Sequence, residues 1–185
     1  IAVGGAKIDA DLVRMARDMH LPVYEGYGLS ECASVVALNT PKHDKVGTVG
    51  TLLPHVKARI VDGEVEIKDP GFLGYIGEEA PSMLSTGDVG FIDSDGYLSI
   101  TGRKKNVLIT SYGRNVSPEW VEAVLLGASD IKQAFVYGDA QPHLSALIVT
   151  DISVTELQMR IDEINAKLPD YARIKDFKIV PAFTP

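Results

Sequence analysis

The stretch YEGYGLSE at residues 24–31 concentrates groups able to hold a charged planar ligand. Gly26 and Gly28 flank Tyr27 and let the backbone come close to such a ligand, while Ser30 and Glu31 follow with a hydroxyl and a carboxylate suited to a phosphate and its magnesium. The same spacing also fits a glycine-rich loop after a strand, with Tyr27 as packing. A second cluster, Ser85, Thr86, Gly87 and Asp88, ends in a carboxylate suited to a sugar diol, although Thr-Gly-Asp is also a common turn. The third runs TGRKKN at residues 101–106, then Val107, Leu108 and Ile109, then TSYGRNVSP at residues 110–118. Its Arg103 can bond sugar oxygens or an anion, and the segment reads equally as a plain linker.

These clusters need elements to position them. Residues 1–3 are an apolar stub before Gly4 and Gly5, and Asp9 stands as a cap before Leu12, Met15, Ala16 and Met19 at helical spacing. With a short strand at residues 21–24, the opening reads as a βαβ unit, a motif of parallel sheets. From residue 41 to about residue 101 the texture changes to short β-prone runs. Residues 56–61 and 64–68 flank Asp62 and Gly63, and residues 89–92 and 97–100 flank a second turn, so two hairpins of a small antiparallel sheet or partly closed barrel are expected. Beyond Gly102, Ser117, Pro118 and Glu119 start a helix through residue 126, and residues 133–137 and 144–149 read as strands. Ser153 and Glu156 form a capping box ahead of Val154, Leu157, Ile161, Ile164 and Leu168, and a last strand covers about residues 175–180. A boundary is placed near residues 101–105.

Composition narrows the function classes. The 185 residues carry 18 Lys plus Arg against 25 Asp plus Glu, a net charge of -7, which opposes broad contact with nucleic acid or an anionic membrane. One cysteine, Cys32, allows neither an internal disulfide nor a Cys-rich zinc site, and a reducing compartment, the cytoplasm, is the expected home. Cys32 reads as a small buried residue. His20, His43, His55 and His143 lack metal-ligand spacing. No run of 18 apolar residues predicts a transmembrane segment. The apolar opening without an initiator Met suggests a chain cut from a longer one.

In combination and in this order, the three motifs resemble the adenylate-forming superfamily of acyl-CoA synthetases, peptide-synthetase adenylation domains and luciferases. Gly4, Gly5 and Ala6 resemble the turn that lines the adenine pocket. Residues 24–31 are similar to the YGLTE-like motif with Ser30 in place of the commoner Thr, residues 85–88 to the TGD motif, and residues 102–118 to the segment joining a mobile C-terminal domain. The resemblance implies mixed α/β and α+β architecture: residues 1–40 as a remnant of the large N-terminal α/β domain, 41–102 as a small antiparallel β subdomain, and 103–185 as the mobile C-terminal α+β domain. It also implies roles. Tyr27, between Gly26 and Gly28, would stack on adenine, Ser30 would touch the α-phosphate and Glu31 would hold magnesium. Asp88 and Arg103 would take the ribose hydroxyls, Lys105 would be the hinge, and Gly113 would approach the pantetheine arm. Between Arg103 and Gly113 the chain is one residue longer than some members, so Tyr112 and Arg114 receive no role.

The implied chemistry is activation of a carboxylic acid by ATP, with AMP retained in the acyl-adenylate and magnesium offsetting phosphoryl charge, then transfer to CoA. Neither step needs a nucleophile from the protein. The wording of residues 102–118 is most like a fatty-acid or acyl-CoA synthetase; another adenylate-forming ligase and a non-catalytic structural relative stay as alternatives. The family's phosphate loop and much of the acyl pocket would lie before Ile1, and its C-terminal catalytic lysine beyond Pro185. The isolated chain is therefore expected to be inactive.

Overall fold

A computed structural model describes residues 1–183. They form two compact units, Ile1–Lys104 and a second from Lys105 onward.

In the first unit, β1 (Ala2–Val3) leads through a glycine turn to α1 (Ala10–Asp18) and then to β2 (Tyr24–Tyr27). Asp9 caps the helix, its carboxylate accepting the N–H groups of Asp11 and Leu12. β1 and β2 pair in parallel, as a βαβ unit requires. One expectation is corrected. Residues 21–23 are not strand; the strand begins at Tyr24 and contains the first half of the YEGYGLSE motif. The expected helix is present, with Leu12, Met15 and Met19 exposed and Val13 fully buried. One turn on, Arg17 bonds the Val23 carbonyl through Nε at 2.9 Å and Nη2 at 2.7 Å and pairs with Asp44.

β3 (Ala37–Leu38) and β4 (Thr51–Leu52) extend the sheet in the order β1-β2-β3-β4, with antiparallel pairing after β2. The expected hairpins follow as β5 (Lys57–Val61) with β6 (Glu64–Lys68), and β7 (Met83–Ile92) with β8 (Leu98–Arg103), in one antiparallel sheet of order β5-β6-β7-β8. The segments 1–40 and 41–102 share a core: Cys32, Val36 and Ala37 pack with Val65, Ile67 and Leu98. Backbone bonds reinforce it, Val49 N–H to Leu98 O and Leu98 N–H to Gly50 O, both 2.8 Å.

In the second unit, the short antiparallel pair β9 (Leu108–Ile109) and β10 (Asn115–Val116) precedes α2 (Pro118–Leu126), which is capped by Ser117. β11 (Ile131–Tyr137) and β12 (Leu144–Thr150) are antiparallel. α3 (Val154–Lys167) then crosses to β13 (Ile174–Ile179), which is parallel to β12. The Ser153–Glu156 capping box is present. Leu157, Ile161, Ile164 and Leu168 are buried against Val121, Leu125 and Ile148, each such side chain contributing about 1.5–3 kcal/mol. Val154, expected on that stripe, is 62% exposed because it opens the first turn of the helix.

Candidate functional site

The Thr-Gly-Asp motif is not an isolated turn; it lies inside the ten-residue strand β7. There the ladder slips, and Gly87 takes a φ of +74°, a conformation that favours glycine. Asp88 follows, only 5% exposed, and faces Arg103 across the β7–β8 pairing. Arg103 Nε lies 3.1 Å from Asp88 Oδ1, and Arg103 Nη1 donates to the Thr86 carbonyl at 3.0 Å. From the other sheet, 61 residues earlier in the chain, Tyr27 donates its hydroxyl to Asp88 Oδ2 at 2.5 Å. Burial, and then this bond to a carboxylate, push the Tyr27 phenol well above its ordinary pKa, so it remains a donor. All three motifs thus meet at Asp88, through Tyr27, Asp88 itself and Arg103, the first of the three consecutive cations Arg103, Lys104 and Lys105.

Glycines make room around β2. A Cβ on Gly4 would stand 2.9 Å from Gly26 O, so Gly4 lies directly against the strand carrying Tyr27, while Gly5 and Ala6 lead away from it exposed. Gly26 would press its Cβ on Leu38 at 2.8 Å. At Gly28 the clash is severe: a Cβ would come 1.5 Å from the Ser34 carbonyl oxygen, where the chain doubles back through Ala33 and Ser34, both at positive φ. Gly28→Ala should therefore destabilise the protein by about 1–3 kcal/mol or more, read as a lowered denaturant midpoint. An unchanged midpoint would show that the Ser34 turn yields at no cost.

Ser30 is exposed at the start of the single 3-10 turn Ser30–Cys32. Glu31 follows and accepts the Tyr75 hydroxyl at 2.6 Å. That bond, helped by the nearby Arg103 charge, holds the Glu31 carboxyl below its usual range. Cys32 is buried and free, and burial raises its thiol pKa, which fits packing rather than chemistry. Behind the motif, Glu25 is buried and accepts the Gly47 N–H at 3.0 Å; burial pushes Glu25 up and Lys7 down. Among the described residues no group of three or more His, Cys, Asp or Glu side chains is arranged as a metal cage, and no helix is long and apolar enough to cross a membrane.

Lys105 occupies the 3-10 turn Lys104–Asn106 at the boundary of the units. Its neighbours are anchored on either side: Arg103 to Asp88 and Lys104 to Glu64 in the first unit, Asn106 to Glu119 in the second. Lys105 itself is exposed and its side chain makes no hydrogen bond or ion pair among the described residues. Gly113, at a φ of +72° with open space where a Cβ would stand, closes the turn between β9 and β10 in the second unit, away from the Asp88 cluster in sequence and in compact unit. Sequence reasoning missed Tyr75 and Glu64. Tyr75 sits among Gly71, Gly74 and Gly77, which mark a loop but name no partner for its hydroxyl.

The arrangement presents a buried carboxylate with spare acceptor capacity, an exposed guanidinium, an oriented phenol and an exposed hydroxyl–carboxylate pair. Residues 1–83 match the family model described as AMP-binding enzyme, and residues 105–184 match the model described as AMP-binding enzyme C-terminal domain. A long-chain-fatty-acid–CoA ligase, FadD15 of Mycobacterium bovis, is 41% identical over 157 residues, covering 80% of this chain and 26% of that protein. The O-succinylbenzoate coenzyme A synthetase of Bacillus subtilis is similar in structure. Its complex with the acyl-adenylate intermediate gives a TM-score of 0.84 at 25% identity, and its complex with ATP and magnesium 0.80 at 26%. Each comparison covers 97% of this chain and 42% of the synthetase. The chain therefore spans a quarter to two fifths of the length of these relatives. The second family model begins at Lys105, the residue where the second compact unit begins, and the TGD cluster and the start of the third motif, Thr101 to Lys104, lie between the two models. The two models follow one another along the chain in the order of the two compact units, and the chain belongs to the family of AMP-binding, adenylate-forming enzymes.

Proposed function

We propose that the protein carrying this chain is an AMP-forming acid–thiol ligase that converts a carboxylic acid of the fatty class to its acyl-adenylate with ATP and transfers the acyl group to CoA. The convergence of Tyr27, Asp88 and Arg103 carries this reading. A carboxylate accepts about four hydrogen bonds, and Asp88 uses one on each oxygen, so both can take a ribose hydroxyl. Tyr27, tethered through its hydroxyl, holds its ring in a fixed relation to that carboxylate and serves as the adenine platform beside the Gly4, Gly5 and Ala6 turn. Ser30 addresses the α-phosphate. Glu31 fits a hard cation by donor type and would hold magnesium, which supplies Lewis-acid polarisation of the phosphoryl oxygens when bound. Arg103 adds fixed positive charge on the ribose side.

Lys105 serves as the pivot between an adenylate-forming and a thioester-forming pose, and Gly113 lies in the loop that meets the pantetheine arm in the second. The fatty class is favoured over an aromatic acid such as succinylbenzoate by the 41% identity to a long-chain ligase, against 30% to the 2-succinylbenzoate–CoA ligase of Enterococcus faecalis. On the intact protein, a panel of carboxylates should drive pyrophosphate exchange into ATP without CoA and yield AMP with CoA, fatty acids giving the largest signal. Release of ADP and phosphate with an acyl phosphate would overturn the chemistry. A preference for succinylbenzoate would overturn the substrate class alone.

A further inference from the structure

The β6–β7 ladder pairs Lys68 with Met83 and Glu66 with Ser85, and then slips so that Glu64 faces Val89. Thr86, Gly87 and Asp88 therefore stand opposite the single residue Val65 and lose the regular ladder, leaving their backbone groups in need of other partners. Two bonds supply partners for the Asp88 and Gly87 N–H groups, and a third satisfies the Val65 carbonyl. The Thr86 hydroxyl donates to Val65 O at 2.8 Å and accepts the Asp88 N–H at 3.1 Å. The Gly87 N–H donates to Glu64 Oε1 at 2.9 Å. The Glu64 side chain is 12% exposed, and its other oxygen, Oε2, takes Lys104 Nζ at 2.7 Å. Glu64 opens β6 directly after the Asp62-Gly63 turn, and its largely covered carboxylate is directed at the backbone of the residue before Asp88.

We infer that Glu64 is a positioning residue for Asp88: by holding the Gly87 N–H it sets the bulge that turns the Asp88 carboxylate toward Tyr27 and Arg103. The inference rests on the reading of Asp88 as the ribose anchor. Among the described residues Glu64 forms no hydrogen bond or ion pair with Tyr27 or Arg103, so it acts through the Gly87 backbone. The competing role is partner to Lys104, whose side chain is 58% exposed, so that end of the pair is screened by solvent. Substitutions separate the two. Glu64→Gln keeps a carbonyl oxygen for the Gly87 N–H and discards the ion pair, Lys104→Ala discards the ion pair alone, and Glu64→Ala removes both.

The measurement is equilibrium binding of AMP and of 2′,3′-dideoxyAMP to the intact protein by calorimetric titration, the ratio of the two affinities reporting the ribose contact. Wild type should favour AMP by about tenfold or more, the effect of hydrogen bonds to a charged group. Glu64→Ala should shrink that ratio several-fold with dideoxyAMP affinity nearly unchanged, while Glu64→Gln and Lys104→Ala should keep it. A merely structural role for Glu64 would weaken both ligands together and leave the ratio alone. A wild-type ratio in folded Glu64→Ala overturns the inference, as does an equal shrinkage in Lys104→Ala. Should Glu64→Ala fail to fold, Glu64→Met retains the length without the acceptor and is read the same way. Asp88→Ala is the control: if it keeps the wild-type ratio, the ribose reading falls and this inference with it; if it collapses the ratio while Glu64→Ala does not, only the inference falls.

Discussion

Asp88→Ala in the intact protein should weaken nucleotide binding by roughly 10- to 150-fold, the equivalent of about 1.5–3 kcal/mol for hydrogen bonds to a charged group. The KM for ATP should rise and the affinity for AMP should fall together, because the ribose contact is made to both. The fold should survive. Asp88 is buried, but its cationic partner Arg103 is 53% exposed at the side chain, so solvent replaces the lost carboxylate for the guanidinium. The Tyr27 hydroxyl loses its acceptor as well, and the adenine platform should loosen, which adds to the loss. Asp88→Asn should fall between wild type and alanine, keeping one acceptor oxygen and no charge. Unchanged ATP kinetics in an Asp88→Ala variant that is folded by circular dichroism would show that the ribose is held elsewhere.

Lys105→Pro should divide the two half-reactions. The residues on either side of Lys105 are tied to different units, Lys104 to Glu64 and Asn106 to Glu119, so a change in orientation concentrates in the backbone torsions at Lys105. Proline fixes φ near −65° and removes the amide donor, and a φ of that size lies within the 3-10 range of the turn Lys104–Asn106. The variant should therefore hold one pose and exclude the other. If the excluded pose is disfavoured by about 3 kcal/mol, its population falls by roughly a hundredfold, and the step that needs it slows in proportion. Pyrophosphate exchange should persist while transfer from supplied acyl-adenylate to CoA is lost, if the trapped pose is the adenylating one. Both steps, measured on the same folded preparation, decide the matter: equal losses, or none, would leave Lys105 an ordinary exposed loop residue.

Local chemistry was readable without coordinates wherever it depends on near neighbours. The Asp9 and Ser117 caps, the Ser153–Glu156 box, the Asp62-Gly63 hairpin and the buried stripe Leu157, Ile161, Ile164 and Leu168 follow from side chains one helical turn or one hairpin apart. The candidate site residues Tyr27, Asp88 and Arg103 were legible as types in an order that resembles a family. Their meeting was not. Which side of α1 is buried could not be read from the spacing of Leu12, Met15 and Met19: Val13 is the buried residue, and Arg17 on the same helix reaches Val23 and Asp44, the latter 27 residues away. The TGD motif read both as a sugar-binding carboxylate and as a common turn, and only the slipped β6–β7 register makes it a bulge inside a strand, with Glu64 bonded to the Gly87 N–H. A residue whose partner lies 20 to 60 positions away carries no periodic or local signal of that partner, because the pairing is set by strand register and sheet order. The sequence alone determined the local elements and the inventory of reactive groups; the tertiary structure decided which of them touch, since long-range contacts exist only once the chain's ladders and core have closed.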